Sequence, residues 1–131
     1  KSGALRPHLG IQVKPNHGLW AFFRRVPDEE GVEKYHALDP VHMLLGRSWT
    51  AAELRRKSFK DLHTLWYVLA RERNLLATQR EAARRLSGST EKIRLFQVRE
   101  MRCRKSQAHI KLVLNERRLM YEGAAEVLAK E

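Results

Sequence analysis

The chain has 131 residues, of which 26 are Lys or Arg and 15 are Asp or Glu, giving a formal net charge of +11. This length predicts one domain with a single apolar core and excludes a large two-domain enzyme. The single cysteine, Cys103, excludes an internal disulfide and a Cys-based zinc site and is expected to be a small core residue. No uncharged stretch reaches the roughly 18 residues of a membrane span, so the chain is predicted to be soluble or peripheral. So large a positive charge favours a polyanionic partner, nucleic acid before an anionic membrane surface.

Charge and helix-breaking residues divide the chain unevenly. Residues 1–50 carry a net charge of +2 and residues 51–131 a net charge of +9, while all four prolines and five of the seven glycines precede residue 51. We therefore expect an irregular N-terminal extension at residues 1–47, a helical core at residues 48–121 and a C-terminal tail at residues 122–131. Because the first residue is Lys, we expect the chain to be a processed product or a piece of a longer one.

The first fifty residues contain two apolar segments before a turn signal. Residues 10–13 alternate as a short strand does, and residues 19–23 form a dense apolar patch. The sequence Pro-Asp-Glu-Glu-Gly at residues 27–31 predicts a turn between that patch and residues 32–38, and thus a hairpin. The aromatic residues of the patch are candidates for anchoring the extension on its own or a neighbouring protein, with stacking on unpaired bases as the alternative: Trp20, Phe22 and Phe23.

Two capping signals open the helical part. Thr50 with Glu53 has the spacing of a capping box, and Ser58 with Asp61 repeats it eight residues later. A brief first helix, a corner at residues 57–58 and a longer second helix are predicted. The buried face of the second helix recurs at spacings of three, four or seven residues and comprises Phe59, Leu62, Leu65, Trp66, Leu69, Leu76 and Ala83.

The second helix is predicted to end at Leu86 after about 28 residues, a rod of about 42 Å. Residues 87–90, Ser-Gly-Ser-Thr, then predict a tight turn with a glycine at one helix end and a Ser or Thr cap for the next. The third helix should run from Thr90 to about Tyr121. The fold class is therefore all-α, an antiparallel hairpin of two long helices preceded by a short helix and an irregular extension.

Two apolar strips follow the third helix. One, the seam predicted to face the second helix, comprises Phe96, Cys103, Ile110, Leu114 and Tyr121. The other, called here the outer strip, comprises Met101, Ala108, Leu112 and Leu119. We accordingly expect neighbours on two sides of this helix.

The cations of the third helix point in four directions on a helical wheel. A helix that enters one groove of a duplex needs its cations on one face, whereas a wedge among several nucleic-acid strands needs them on many. The thin core of a two-helix hairpin and its uncompensated charge indicate a protein completed by its partner. By position and charge, the candidate RNA-binding residues are Arg55, Arg56, Lys57, Lys60, Arg71, Arg99, Arg102, Arg104, Lys105, Lys111 and Arg117.

The sequence contains no catalytic constellation. Its six histidines are scattered, with no HExxH motif, no glycine-rich phosphate loop and no Gly-x-Ser-x-Gly elbow. The one local group, His36 with Asp39 and His42, is expected to be a surface loop. We expect no enzymatic activity, no metal and no cofactor.

Two segments of the helical part carry recognisable motifs. Residues 53–62 read Glu-Leu-Arg-Arg-Lys-Ser-Phe-Lys-Asp-Leu, followed by Arg71-Glu72, and residues 104–117 read Arg-Lys-Ser-Gln-Ala-His-Ile-Lys-Leu-Val-Leu-Asn-Glu-Arg. In this order on two helices they resemble the ribosomal protein L-twenty-nine family of the large subunit. Residues 6–10, 16–20 and 46–50 resemble its mitochondrial branch, especially the fungal forms (the L-forty-seven type in animals). His109 departs from the usual Arg and Leu112 from the frequent Thr.

The resemblance implies a structural constituent of the mitochondrial large ribosomal subunit, located in the mitochondrial matrix and supporting mitochondrial translation. It implies binding to ribosomal RNA beside the polypeptide exit tunnel, with the L-twenty-three protein as a neighbour. Inner-membrane insertion or ribosome-receptor proteins are further partners that it suggests for the extension, and no small-molecule substrate is expected.

Two other classes of function remain open from the residues. The hairpin could be a protein-interaction module outside the ribosome, pairing with another coiled coil through the outer strip. The third class is an RNA-processing enzyme, which would lose its activity when His36 or His42 is changed to Ala.

Overall fold

The computed structural model describes residues 14, 16–27, 31, 33–36 and 46–130. A short 3-10 helix at Gly18–Phe22 precedes two strands, β1 at Arg24–Pro27 and β2 at Glu33–His36. Three helices follow, α1 at Ala51–Arg55, α2 at Phe59–Ala82 and α3 at Thr90–Leu128. The predicted all-α hairpin of two long helices behind a short one is confirmed, and the extension adds a two-stranded antiparallel sheet. The strand predicted at residues 10–13 lies outside the described residues.

The hairpin in the extension forms around the predicted turn, but its first strand begins later than the apolar patch. Arg24 pairs with His36 and Pro27 with Glu33. The patch itself coils into the 3-10 helix, where the His17 Nδ1 atom accepts from the Leu19 N–H at 3.1 Å. This single turn packs its side chains against α2, which an extended patch with alternating faces could not do.

Both predicted capping boxes are present. The Thr50 N–H donates to the Glu53 carboxylate at 3.0 Å, and the Glu53 N–H donates back to the Thr50 hydroxyl at 3.4 Å. Ser58 and Asp61 form the same reciprocal pair at the start of α2. Glu53 also receives the guanidinium of Arg47, and this ion pair, together with Thr50, lowers the pKa of Glu53 to about 2.

The turn between the long helices also follows the sequence. The last turn of α2 widens into a π turn at Ala83–Ser87, closed by the Gly88 N–H donating to the Ala83 carbonyl at 3.0 Å. Gly88 has a φ of 58°, in the left-handed region that favours glycine. The Ser89 hydroxyl then accepts from the Lys92 N–H and begins α3. The two rods are thereby set antiparallel, with one face of each in contact.

Two apolar clusters form the core along that face. The cluster nearer α1 is built from Leu54, Leu62, Leu69, Ile110 and Val113, and the cluster nearer the turn is built from Leu76, Ala83 and Phe96. Cys103 packs against both clusters, and its burial raises the pKa of its thiol. Cys103 is thus a small core residue, as predicted.

Polar side chains tie the core together where apolar ones are few. The buried Ser106 hydroxyl accepts from the Trp49 N–H at 2.9 Å and donates to the Arg102 carbonyl at 3.0 Å. The buried Gln107 amide oxygen accepts from Arg73 at 2.9 Å, which links α3 to α2. These bonds fix the segment before α1 and the register of the two long helices.

Three features differ from the predicted packing. Phe59 and Tyr121, expected on the buried faces, are 64% and 79% exposed. Phe59 lies with His63 and Tyr67 on the outward side of α2, and Tyr121 lies beyond the part of α3 that α1 and α2 cover. The outer strip faces away from α2 and is exposed, so no second neighbour covers it among the described residues. Helix α3 continues to Leu128, past the end predicted near residue 121.

Replacing Gly88 by Ala is expected to lower the free energy of unfolding by about 1 kcal/mol, the usual cost of a left-handed backbone for a residue with a side chain. A Cβ atom at Gly88 meets nothing within 4 Å, so the loss comes from the backbone alone. Gly88→Asn should cost less. The control is Gly123→Ala, at a helical glycine with equally open space, which should not destabilise. Chemical denaturation measures all three, and equal losses at both glycines would contradict the backbone explanation.

The capping carboxylate predicts a pH dependence of stability. The pKa of Glu53 is about 2 in the folded chain against 4.5 ordinarily, so its contribution is complete above the ordinary value and is lost as the pH falls towards about 2. Glu53→Gln should therefore lower the melting temperature near neutral pH, with the difference from the parent shrinking in acid. Glu126→Gln, at an exposed carboxylate far from a helix N-terminus and with no side-chain hydrogen bond to a described residue, is the control. A difference that is constant with pH, followed by circular dichroism, would exclude this role.

Candidate nucleic-acid interface

A partly buried ion cluster joins the extension to both long helices. One oxygen of the Glu72 carboxylate accepts from Arg24 of β1 at 2.7 Å and from Arg99 of α3 at 3.3 Å. The Arg99 side chain is only 11% exposed. We call these three residues the arginine clasp. It uses Arg99, a predicted RNA-binding residue, to hold three elements of the chain together.

Three further predicted cations bind within the chain. Arg55 forms a two-pronged pair with Glu116 of α3, with both N–O distances 2.8 Å. Arg117 donates to the carbonyls of Arg55 and Lys57 at the end of α1, at 3.1 and 2.7 Å. Arg102 donates to a backbone carbonyl before α1 at 2.6 Å. The guanidinium groups of these arginines hold α1 and the segment before it against α3. Contact of these arginines with RNA stays a prediction, and their guanidinium groups already have partners within the chain.

The other seven predicted cations keep their charges available. Lys57 lies 5.7 Å from the ring centre of Trp49, and Lys111 lies 6.0 Å from that of Trp66. Both contacts use the ring face and leave the ammonium free to bind a phosphate. The remaining five are exposed and make no hydrogen bond or ion pair to any described residue: Arg56, Lys60, Arg71, Arg104 and Lys105.

Four of the free cations of α3 form two rows that flank its outward side. At 100° per residue, Arg94 and Lys105 lie on one line, and Arg104 and Lys111 lie on a second line about 100° away. The rows extend over about 26 Å of helix and enclose the outer strip. Arg94 was not among the predicted binding residues, although its spacing of eleven residues from Lys105 is three helical turns. The helical wheel thus places these four free cations on one broad face of α3.

The carboxylates of the hairpin are committed elsewhere. Glu81 pairs with Arg84 and Arg85 near the turn, and these two guanidinium groups lower the pKa of Glu81 to about 2. Glu100 pairs with Arg80 at 2.8 Å. Acidic groups therefore neutralise the turn and the sides of the hairpin and leave the face with the two cation rows positive.

The aromatic patch of the extension is largely packed within the chain. Trp20 stacks on Tyr35 with ring centres 4.4 Å apart, and its indole N–H donates to the Lys14 carbonyl at 3.0 Å. Phe23 meets the same indole edge-on at 5.9 Å, while Phe22 is 38% exposed. Trp20, Phe23 and Tyr35 border, together with α2, a groove of about 850 Å³. Trp20 and Phe23 thus pack within the extension itself, and the anchoring of the patch on its own or another protein stays a prediction.

A second aromatic group was missed by the sequence reasoning. Phe59, His63 and Tyr67 follow one another at four-residue spacing on the exposed side of α2, and we call them the aromatic ladder. The four-residue spacing of the three rings is visible in the sequence, but the periodicity assigns Phe59 to the buried face of the second helix and assigns no role to His63 or Tyr67.

The described part of the chain holds no group of three His, Cys, Asp or Glu residues arranged to bind a metal ion. Of the local histidine group, Asp39 and His42 lie outside the described residues. None of the helices found in the described residues has the length and apolar character required to cross a membrane.

The comparison with known families agrees with the resemblance in the motifs. The profile of the family described as mitochondrial 39-S ribosomal protein L47 matches residues 19–117. A Botryotinia fuckeliana protein is 38% identical over 94% of this chain, one from Lodderomyces elongisporus is 41% identical over 90%, and one from Aspergillus fumigatus is 39% identical over 91%. Each is named large ribosomal subunit protein uL29m.

The chain spans 46%, 40% and 52% of the lengths of these three relatives, about half of each. The family match covers α1, α2 and most of α3, together with the β-hairpin that the arginine clasp ties to them. The chain therefore belongs to the family of mitochondrial large-subunit ribosomal proteins of the uL29m, or L47, type.

Proposed function

We propose that this chain is a structural constituent of the large ribosomal subunit in the mitochondrial matrix, where it binds ribosomal RNA near the polypeptide exit tunnel and supports mitochondrial translation. The ribosomal and mitochondrial part follows from the family, whose members are structural components and not enzymes. The contact with RNA and the position near the tunnel go further and need their own support.

The observation that carries the RNA contact is the face of α3 with two rows of free cations. The outer strip between them is apolar, and Glu100, one turn from Arg104, is already paired with Arg80 and so does not repel phosphates as a free carboxylate would. Rows about 100° apart on a helix can reach phosphates of two different strands. Folded RNA offers such strands in fixed positions, and proteins recognise it mainly through shape and backbone.

The core gives this proposal a second support. A hairpin with one shared face buries little apolar area for its length, and its net charge of +11 opposes compaction. A ligand that binds only the folded form adds to its stability. RNA that neutralises the two rows would both bind the chain and complete its fold.

The protein neighbours proposed for this position include the L-twenty-three protein and, for the extension, inner-membrane insertion or ribosome-receptor proteins. Support for a protein contact comes from the last turns of α3. Beyond Arg118 every described residue of the helix is exposed. The apolar face of these turns, called here the terminal stripe, consists of Met120, Tyr121, Ala124, Val127 and Leu128.

The terminal stripe continues the seam of α3 beyond the part that α1 and α2 cover. Tyr121 and Leu128 continue the seven-residue spacing of Leu114. Because α1 and α2 do not reach this far along α3, Tyr121 and Leu128 are 79% and 71% exposed. No cation lies within the stripe, and Arg118 on its edge is paired with Glu122 at 3.3 Å. An uncharged face of this kind suits an apolar groove of a neighbouring ribosomal protein, since RNA would require cations there.

The alternative of a protein-interaction module outside the ribosome is favoured by one observation, the exposed outer strip, where Met101 and Leu112 are 55% and 47% exposed. A second helix could pack there. However, it would have to bury the flanking cations of both rows, and a polyanion accommodates them at lower cost.

The RNA contact predicts a loss of salt dependence when the cation rows are removed. Arg104→Ala with Lys105→Ala should weaken binding to ribosomal RNA and reduce the slope of log affinity against log salt by up to about two phosphate contacts. The matched control is Arg84→Ala with Arg85→Ala, which removes the same formal charge from cations already paired with Glu81. Filter binding over a salt series measures both. Equal slopes for the two double variants would remove this face from the interface.

The terminal stripe predicts a separate defect. Tyr121→Asp with Leu128→Asp should reduce sedimentation of the chain with large subunits and leave its affinity for isolated ribosomal RNA and the salt slope unchanged. Glu126→Gln, on the opposite side of the same helix, should behave as the parent. An equal loss on isolated RNA would contradict a protein contact, and a parent chain that dimerises through the stripe in analytical ultracentrifugation would assign it to a second copy.

A further inference from the structure

The aromatic ladder lies on the side of α2 that faces away from both core clusters. Phe59 and Tyr67 are 64% and 63% exposed, and His63 between them is also exposed. The ring centres of Phe59 and His63 are 5.9 Å apart with planes 16° from parallel, and His63 meets Tyr67 at 5.1 Å. These contacts keep the three rings on one line over about 12 Å of helix while leaving their outer surfaces open.

The free charges beside the ladder are positive. Lys60 and Arg71 lie on the same side of α2, and neither makes a hydrogen bond or ion pair to a described residue. The two carboxylates in these turns lie on the other side of the helix. Asp61 is held by its capping bonds with Ser58, and Glu72 is held in the arginine clasp. A polyanion can therefore approach the ladder without meeting a free acid from these turns.

We propose that the aromatic ladder is a stacking site for unpaired bases of RNA, with Lys60 and Arg71 binding the adjoining phosphates. This inference rests on the proposed RNA-binding function and adds to it a site for a single-stranded segment. Every base has a ring face, so stacking of this kind tolerates different sequences. A continuous duplex keeps those faces stacked on one another, so a loop, bulge or end is the form of RNA that fits.

Charge decides between RNA and protein as the occupant. An apolar protein surface laid over the ladder would remove water from Lys60 and Arg71 without giving their charges a partner. RNA offers both halves of what the surface presents, ring faces for the aromatic side chains and phosphates for the cations. The uncharged terminal stripe of α3 shows by contrast what a surface suited to protein looks like in the same chain.

The test measures binding of the full chain to two probes, a uridine single strand of about 12 nucleotides and an RNA duplex of similar length, by fluorescence anisotropy. His63→Ala with Tyr67→Ala should weaken binding to the single strand roughly tenfold or more, with an unchanged salt slope, and should leave binding to the duplex within about twofold. Tyr67→Phe keeps the ring and should bind as the parent. Val68→Ala, at an exposed apolar residue outside the ladder, is the matched control.

A second variant tests the phosphate half independently of the rings. Lys60→Gln with Arg71→Gln should reduce the slope of log affinity against log salt for the single strand by the equivalent of up to about two phosphate contacts, each worth about 0.7 in that slope. Circular dichroism checks that each variant keeps its helix content, and the glutamine pair carries the test if the alanine pair does not fold.

The possible results separate this inference from the function on which it rests. Unchanged affinity of the ladder variant for the single strand overturns the inference, as does an equal loss on both probes. Unchanged RNA affinity with reduced sedimentation on large subunits also overturns it, because the ladder then contacts a protein. If the parent binds neither probe nor ribosomal RNA, the proposed RNA-binding function fails as well. If Arg104→Ala with Lys105→Ala alters the salt slope and the ladder variant alters nothing, only the inference fails.

Discussion

Two antiparallel helices share only one face, and this geometric limit controls the rest of the structure. The face between α2 and α3 is little more than one side chain wide, from Leu62 at one end to Phe96 at the other. Apolar burial is the main force that stabilises a folded chain, and a core of this width supplies little of it per residue. The fold compensates with polar cross-links: the Gln107 amide joins α3 to α2, and the Ser106 hydroxyl joins α3 to the segment before α1.

The same limit determines how the carboxylates are used. With few apolar contacts to join α1, the β-hairpin and the long helices, the chain joins them by ion pairs, with Glu72 in the arginine clasp and Glu116 on Arg55. Each acid placed at such a junction is unavailable to the outer surface. The positive face of α3 is therefore a consequence of the way the hairpin is held together, because 15 acidic residues serve 26 basic ones and most of the described acids on the hairpin have structural partners.

Local features could be predicted from the sequence because their causes lie within a few residues. The capping boxes at Thr50 and Ser58 and the turn at Gly88 depend on neighbours three to five positions away, and all three formed as expected. The family was likewise predictable, since its motifs are contiguous strings. The sequence could not show which cations are free and which are paired within the chain, because pairing depends on residues distant in sequence. The partner of Arg55 lies 61 positions along the chain and that of Arg102 lies 56 positions away.

Helical periodicity also cannot tell where a buried face loses its cover. It places Tyr121 in line with the core residues of α3, which is correct for the direction of the side chain, but burial further requires that the opposite helix extend that far. Because α3 has 39 residues and α2 has 24, the seam of α3 must extend beyond α2 at one end. The position of a helix end relative to a distant helix is a property of the assembled hairpin.

The unequal lengths separate two kinds of surface. Where α2 and α3 overlap, the core takes most of the large apolar residues, and the outside carries free cations beside the outer strip and the aromatic ladder. Where α3 extends alone, the apolar residues remain exposed and the charges are few and mixed in sign. This end of α3 contains Gly123 and lacks tertiary packing, from which most helical stability in proteins comes, so it is the least stabilised part of the helix. A chain built in this way has one part suited to polyanions and another suited to protein, as a component that joins RNA to protein within one particle requires.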